Sequence, residues 1–302
     1  AKKMFGENYV VIYKRTGEDK DVQKVTKPQI TPVSVNRDDQ SKFVKDIIAT
    51  PTKDIQPKFV DYINDIQKGT LLNGVALNYT ENTENKTFDL YYAFEMGTNN
   101  DRKLSVAVDY LKYLGTKNLK PAEVQQEFYK LGCSYDVWAG EERIWVSLRG
   151  LTENFQKALM LFEDLLANAQ PNKDALDNLV QDMLKKRADA KLSKSEILWS
   201  AMMTYGLYGA NSPLKNILSE KELKELKPED LLSVIHGLTG YEHHILYYGS
   251  QTKDELTTEL DKLHKAPAKL MPVPPAKDFV KQESERTVYV VDRSEERRVG
   301  KE

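Results

Sequence analysis

Hydrophobic and polar positions alternate with a period of two in several short stretches of the chain, as they do in half-buried strands. Ile144, Val146 and Leu148, for example, are separated by single residues of a different character. An Asn73-Gly74 pair between two apolar runs predicts a tight hairpin turn. The strands predicted from alternation or from β-branched apolar runs are Asn8–Lys14, Thr87–Met96, Ile144–Leu148, Glu242–Tyr248 and Thr287–Asp292.

Apolar residues recur at intervals of three and four in other stretches, which predicts amphipathic helices. One such stripe consists of Leu104, Ala107, Val108, Leu111 and Leu114. Further helices are predicted near 40–48, from Pro121 to Leu131, over Phe155–Ala169, from Pro171 onwards, over Ser195–Leu207 and over Pro228–Leu238. The mixture of antiparallel strands and runs of helices predicts an α+β fold, in which helices cover an antiparallel sheet.

Composition and charge narrow the classes of partner. The chain has 302 residues, a net charge of -2 and 30% charged residues, so it lacks the basic excess that nucleic acids or anionic membranes would require. No apolar run reaches the roughly 20 residues that span a bilayer, and the N-terminus lacks the apolar core of a signal peptide. We therefore expect neither nucleic-acid binding nor a membrane span.

Cysteine and histidine offer few sites. Cys133 is the single cysteine, which excludes an intrachain disulfide and favours a small packing residue over a nucleophile. His243 and His244 are adjacent in a predicted strand, where neighbouring side chains point to opposite faces and cannot both reach one metal ion. His236, near a helix end, and His264, in a predicted solvated helix, are interpreted as surface residues.

The segment from 94 to 116 carries a recognisable frame. Gly97, Thr98 and Asp101 lie between a predicted strand and a predicted helix, and Gly115-Thr116 follows that helix. This frame resembles the zinc-binding segment of the pitrilysin/insulinase family of metallopeptidases, in which the helix carries H-x-x-E-H. The resemblance implies a pitrilysin-like domain and, in the full parent protein, a two-lobed clamshell around a peptide.

The resemblance also places the family's zinc-binding positions on this chain. Counting back from Gly115 puts Val106 and Tyr110 at the two histidine positions and Asp109 at the position of the catalytic glutamate. Valine offers no lone pair and tyrosine is a poor zinc ligand, whereas a catalytic zinc needs three protein ligands. The family's third ligand, a glutamate on a later helix, has no counterpart between 174 and 190. We predict no catalytic residue, no metal ligand and no cofactor in this chain.

The same resemblance divides the chain into five segments. These are the last strand of a preceding domain at 1–14, an inter-half linker at 15–57, an inactive pitrilysin-like peptidase domain at 58–266, a Pro-rich linker at 267–277, and the start of a next domain at 278–302. The charged residues 293–302 are unlike a fold core, and we expect the gene to be truncated there or joined to foreign sequence.

The predicted function is that of a non-catalytic half, enclosing substrate and serving as a scaffold in a zinc endopeptidase that acts on peptides. Its expected partners are peptide substrates and a catalytic H-x-x-E-H half, in cis or in trans, which carries the zinc. The resemblance favours a periplasmic or secreted location. Two alternatives stay open: a structural subunit for complex assembly, and a peptidase with an unusual metal site built from His243 or His244 with Asp109 or Asp182.

Overall fold

The computed structural model describes residues 6, 9–13, 26, 29, 39–57, 59–283 and 287–290. The chain forms two compact units, Ala1–Lys58 and Phe59–Glu302. In the first unit, the short helix predicted near 40–48 is confirmed as α1, Lys42–Ala49. The side chain of Ser41 caps it by accepting a hydrogen bond from the Val44 N–H at 3.3 Å.

The strand predicted at Asn8–Lys14 is wrong for residues 9–13, which have no regular secondary structure. Val10 and Ile12 are 90% and 89% exposed. A β-branched run becomes a strand only when a neighbouring strand satisfies its backbone groups and covers its side chains. Asn8 and Lys14 lie outside the described residues. The five-segment division of the chain stays a prediction.

A six-stranded sheet forms the centre of the second unit, in the order β1-β2-β6-β3-β5-β4. Its strands are β1 Gln67–Thr70, β2 Ala76–Glu81, β3 Thr87–Phe94, β4 Cys133–Ala139, β5 Ile144–Leu151 and β6 His244–Gly249. The β2–β6 pair is parallel and all the other pairs are antiparallel. The last strand in sequence, β6, therefore lies between the early strands β2 and β3.

The helices confirm most of the predicted amphipathic stretches. They are α2 Lys103–Leu111, α3 Pro121–Lys130, α4 Phe155–Asn168, α5 Lys173–Ala190, a π-helix Glu196–Met202, α6 Met203–Tyr208, α7 Glu220–Glu225, α8 Pro228–Gly237 and α9 Lys253–Leu263. Short 3₁₀ turns occupy Thr152–Asn154, Pro213–Lys215 and Leu238–Gly240. The fold is thus α+β, with a mostly antiparallel open sheet. Within the part of the chain that the structure describes, no helix combines the length and apolar character needed to cross a bilayer.

The predicted Asn-Gly turn is confirmed between β1 and β2. Gly74 adopts a φ of 86°, a conformation that side chains with a Cβ rarely tolerate. The Gly74 N–H donates to the Leu71 carbonyl at 2.9 Å, which closes the turn. The register that follows pairs Thr70 with Ala76 and continues to Gln67. Local turn chemistry therefore sets the first hairpin.

The core lies on one face of the sheet. Phe88, Leu90, Tyr92 and Phe94 alternate along β3 and are all at most 1% exposed. Their counterparts on the neighbouring strands are equally buried, as are the inward-facing residues of α2 and α4. The alternation predicted for Ile144–Leu148 has the same cause and is confirmed, because β5 buries its apolar set on this face.

The C-terminal strand predicted at Thr287–Asp292 is wrong for residues 287–290, which form no strand, while 291 and 292 lie outside the described residues. Val288 and Val290 are exposed, and only the ring of Tyr289 contacts another aromatic ring, that of Tyr205. The Pro-rich stretch 267–277 has no helix or strand beyond one isolated bridge, between Tyr241 and Met271.

Candidate functional site

The frame around α2 is built by close backbone contacts. A Cβ at Gly97 would collide with the backbone of the β4–β5 hairpin at Gly140 and Glu141, so only glycine fits there. The side chain of Asp101 accepts a hydrogen bond at 2.9 Å from the N–H of Lys103, the first residue of α2. Gly97 and Asp101 of the frame thus have structural roles that do not depend on a metal.

Val106 and Tyr110, at the two histidine positions, both face the core. The hydroxyl of Tyr110 donates to the carbonyl oxygen of Asn172 at 2.9 Å and accepts from the Asn172 N–H at 2.7 Å. Asn172 is the N-cap of α5, so this phenol joins α2 to the start of α5. Burial raises the pKa of Tyr110, which keeps the phenol neutral. Both residues therefore pack in the core: valine has no lone pair, and the Tyr110 hydroxyl is engaged by the backbone of Asn172.

Asp109, at the glutamate position, lies on the solvent side of the same helix. Its side chain is 46% exposed, and one carboxylate oxygen lies 3.6 Å from the Nζ of Lys112. A general base must lie beside a metal-bound water to activate it. At the two predicted histidine positions, valine and tyrosine supply no imidazole that would hold such a metal beside Asp109.

The donors needed for zinc are therefore not assembled. Asp182, an acid of α5, pairs with Lys186 at 2.7 Å on the surface. Across the described ranges, no group of three histidine, cysteine, aspartate or glutamate residues is placed to hold a metal ion. A tetrahedral zinc site needs three protein ligands that converge on one point. The residues of this segment do not fit that requirement.

His243 and His244 point to opposite sides of the sheet, as their spacing predicts. His243 is buried and His244 is exposed. Both ring nitrogens of His243 have hydrogen-bond partners, the carbonyl oxygen of Tyr241 at 2.7 Å and the Nε2 of His264 at 2.9 Å. The alternative metal site, which combined these histidines with Asp109 or Asp182, is not brought together.

The interpretation of His264 as a solvated helical residue is wrong. Helix α9 ends at Leu263, and His264 is buried. Its Nδ1 lies 2.8 Å from Oε1 of Glu163, an acid on the buried face of α4. Sequence reasoning missed this cluster, although one signal was present: Glu163 interrupts the apolar stripe of α4 next to Phe162, and a buried acid requires partners. The prediction that His236 is a surface residue is confirmed, because its side chain is exposed; its Nε2 lies 3.2 Å from the Ala169 carbonyl oxygen.

Cys133 is buried at the start of β4, and burial raises the pKa of its thiol. A raised pKa lowers the fraction of thiolate, the form that acts as a nucleophile. The Sγ lies 3.5 Å from the carbonyl oxygen of Leu131. These observations agree with the predicted packing role.

The second face of the sheet carries an aromatic surface. Trp138 of β4 and Trp145 of β5 are directly paired, and their rings stack with centroids 6.3 Å apart. The ring of Tyr91 on β3 meets Trp145 edge-on at 6.2 Å, and its hydroxyl accepts a hydrogen bond from Arg149 at 3.0 Å. Trp138 is 39% exposed, and Tyr248, on β6, is 40% exposed. We call these five residues, Tyr91, Trp138, Trp145, Arg149 and Tyr248, the open sheet face.

Comparison with known proteins finds similarity in structure only. No protein-family profile matches the sequence, and no curated protein matches it. A peptidase M16 inactive domain from Pseudomonas fluorescens superposes with a TM-score of 0.58 at 20% identity, over 72% of this chain and 54% of that one. The periplasmic protease PqqL from Escherichia coli superposes with a TM-score of 0.63 at 13% identity, over 78% and 27%.

A third structure is a mutant of the ferredoxin protease FusC, solved in complex with Arabidopsis ferredoxin. It superposes with a TM-score of 0.61 at 14% identity, over 77% of this chain and 28% of that one. The chain thus spans between about a quarter and about half of the proteins that it resembles. Similarity at these identities establishes architecture and leaves activity to be argued from the site. The chain has the fold of the peptidase M16 domains, the pitrilysin-like fold that the frame around α2 predicts.

Proposed function

We propose that the chain is a non-catalytic part of a pitrilysin-type zinc endopeptidase, in which it encloses the peptide substrate and serves as a scaffold. The observation that carries this proposal is the packing of Val106 and Tyr110 into the core, at the two positions where H-x-x-E-H would place its imidazoles. The likeness to a domain described as an inactive M16 domain supports it. The catalytic zinc then belongs to another half, in the same polypeptide or in a partner.

The structure of α2 supports the proposed scaffold function. The frame glycine, the helix start and the apolar stripe give α2 the same role in the fold as a zinc-binding helix, while Tyr110 fixes it to α5. At the two predicted histidine positions, Val106 and Tyr110 add buried apolar area, which stabilises the fold without a metal. A periplasmic or secreted setting is proposed on the likeness to PqqL, which is a periplasmic protease.

The open sheet face is the surface that we assign to contact with substrate or with the catalytic half. Aromatic side chains supply large contact area at a low entropic cost and are enriched in protein interfaces. Trp138 and Trp145 are paired there, with Arg149 beside them as a hydrogen-bond donor. FusC is similar in fold and was solved with a protein bound, which supports a polypeptide as the ligand here.

Mixing experiments test the proposal. The chain is combined with an M16-type half that carries H-x-x-E-H and comes from the same organism. The mixture is then assayed on a quenched fluorescent peptide library. We expect cleavage to rise in the mixture and to disappear with a chelator. Chelator-sensitive cleavage by the chain alone would overturn the proposal. Binding of the two halves without any gain in cleavage would favour the assembly subunit instead.

Tryptophan variants test the open sheet face, because the chain has three tryptophans and only two lie on it. Trp138→Ala and Trp145→Ala should each reduce the gain in cleavage by about tenfold, a loss common for a central interface aromatic. Trp199→Ala is the matched control, since Trp199 is 75% exposed on the π-helix. Equal effects of all three substitutions would remove the assignment of this face.

A further inference from the structure

Four buried side chains form one continuous chain of hydrogen bonds between the sheet and the helices. The hydroxyl of Tyr92 donates to Oε1 of Glu163 at 2.7 Å, and Nδ1 of His264 contacts the same oxygen at 2.8 Å. The Nε2 atoms of His264 and His243 are 2.9 Å apart, and Nδ1 of His243 lies 2.7 Å from the Tyr241 carbonyl oxygen. We call Tyr92, Glu163, His243 and His264 the latch.

Hydrogen-bond geometry fixes the number of protons in the latch. The carbonyl oxygen of Tyr241 can only accept, so Nδ1 of His243 must carry a hydrogen. Burial raises the pKa of Glu163, but hydrogen bonds from His264, Tyr92 and the Lys265 N–H lower it overall, so Glu163 is a carboxylate. A carboxylate oxygen can only accept, so Nδ1 of His264 must donate to it.

The contact between the two Nε2 atoms then requires one hydrogen, because two lone pairs or two N–H groups would repel each other at 2.9 Å. Two neutral imidazoles carry two N–H hydrogens in total, and this arrangement needs three. The two rings together therefore hold one excess proton, which balances the negative charge of Glu163. Buried ionised groups are tolerated when they form an ion pair whose opposite charges cancel.

The surroundings of the latch are mainly aromatic. From β3, Phe94 stacks on His243 with ring centroids 4.8 Å apart, and Tyr92 lies 4.5 Å from His264 by the same measure. The ionisable groups that face the two imidazoles are Tyr92 from β3 and Glu163 from α4, while His244, on the opposite side of the sheet, has a charge effect on His243 that is smaller than the effect of burial. Glu163 is thus the nearby negative charge, and it supports one added proton but not two.

The latch also holds the chain where it leaves α9. The Lys265 N–H donates to Oε2 of Glu163 at 3.1 Å, and the Lys265 carbonyl accepts from the Thr239 hydroxyl at 2.9 Å. Further along, the Met271 N–H donates to the Gly240 carbonyl at 2.8 Å, next to the carbonyl that His243 contacts. The stretch from His264 to Val273 therefore rests on the part of the molecule that the latch organises.

We propose that the latch is an acid-sensitive device that fixes residues 264–273 to the sheet while it holds a single excess proton and releases them when it takes a second. A second proton would place an N–H on each of the facing nitrogens and a positive charge on each ring. Their hydrogen bond would become a repulsion, and His243 would turn away from His264. The segment that starts at His264 would lose its attachment while the strands keep their own ladder.

The acid range follows from His243. Burial lowers its pKa from 6.5 to about 4, the hydrogen bond to Tyr241 opposes this shift, and His264 adds to it. A released His243 would take up its proton near 6.5, while the latched one resists until about 4. Between these values the open state binds more protons, so the equilibrium for release rises about tenfold for each pH unit of acidification.

Two measurements on the full chain test the inference. The first is ¹⁵N–¹H correlation of the histidine rings at pH 7 with ¹⁵N-labelled histidine. We expect hydrogens on both nitrogens of His264, or one shared between the rings, and a hydrogen on Nδ1 of His243. Two singly protonated neutral rings at pH 7 would overturn the inference without any variant being needed.

The second measurement is hydrogen exchange of the Lys265 and Met271 amides, corrected for the intrinsic effect of pH. From pH 6.5 to 4.5 we expect their protection to fall about 100-fold, while amides of β3 and β5 stay protected. His243→Gln should flatten this dependence, and His244→Gln is the matched control that should keep it. Protection that does not change, or that falls equally in the central strands, would contradict local release. If His243→Gln does not fold, the wild-type profile still decides.

Discussion

Helix α2 and the latch lie in the same folded unit, but they differ in how well the sequence pattern predicts their ionisable groups. On α2 the frame resembles that of a zinc-binding helix, yet Val106 and Tyr110 are packing residues. In the latch, Glu163 lies within the apolar stripe of α4, and His264 is buried although the sequence predicts a solvated residue. Both contact other buried polar side chains. The difference teaches that spacing identifies a structural frame, whereas the chemistry depends on which side chains the fold brings together.

The most direct way to break the comparison is to remove the packing role of α2. Tyr110→Ala deletes a fully buried ring and both of its hydrogen bonds to Asn172. We expect a loss of about 3–5 kcal/mol in the free energy of unfolding, as for other buried aromatics. Tyr113→Ala, at a 52% exposed position just after the same helix, should cost no more than about 0.5 kcal/mol. Urea denaturation measures both, and similar losses would refute the packing role.

The latch should appear as a pH dependence of the free energy of unfolding. The folded pKa of His243 is lowered to about 4, so its contribution is present above pH 6.5 and is lost as the pH falls toward 4. The difference corresponds to about 3 kcal/mol. Burial would raise the pKa of Glu163, but hydrogen bonds from His264 and Tyr92 lower it overall, which adds a loss in the same direction.

Urea denaturation at a series of pH values checks this second prediction. His243→Gln should have a flatter profile between pH 6.5 and 4 than the wild type. His244→Gln should retain the wild-type slope, because His244 lies on the opposite side of the sheet. A wild-type profile as flat as that of His243→Gln would show that the latch does not bind protons in the way described.

A smaller change sharpens the description of α2. Tyr110→Phe keeps the buried ring but removes the hydroxyl that bridges to the N–H and carbonyl of Asn172. We expect a loss of about 1–3 kcal/mol, because two buried backbone groups lose a partner. Tyr129→Phe, at an 86% exposed position on α3, is the control and should be close to neutral. If Tyr110→Phe is also neutral, the ring alone accounts for the packing of α2.

The smallest effect is expected at Asp109, where the resemblance places the catalytic glutamate. Asp109→Asn removes a half-exposed carboxylate that only approaches Lys112 at 3.6 Å. We expect a change of less than about 0.5 kcal/mol in the free energy of unfolding, as for other surface ion pairs. We also expect no change in the activity of the mixture with the catalytic half. A large loss of that activity would give Asp109 a function that the structure does not suggest.

Much of the fold could be predicted from the sequence because its signals are local. The stripe of α2 and the Asn73-Gly74 turn depend on neighbours within a few residues, and both predictions are confirmed. The strands predicted at residues 9–13 and 287–290 are wrong because a strand depends on a partner strand that sequence composition does not reveal. The insertion of β6 between β2 and β3 is likewise a long-range event.

The candidate site shows the same limit. The prediction that Val106, Asp109 and Tyr110 bind no zinc rests on residue identity alone, and it stays a prediction. The burial of His264 was not visible, because its partner Glu163 is 101 residues away along the chain. A glutamate in the apolar stripe of α4 indicated that a partner existed but could not identify it. The aromatic open sheet face also depends on the register that pairs Trp138 with Trp145.

Zinc titration of the purified chain, followed by the same peptide-cleavage assay, tests the central claim most directly. The account predicts no stoichiometric zinc binding and no chelator-sensitive cleavage by the chain alone, because Val106 and Tyr110 supply no ligand. Cleavage should require the half that carries H-x-x-E-H. One zinc per chain together with cleavage by the isolated chain would contradict the account.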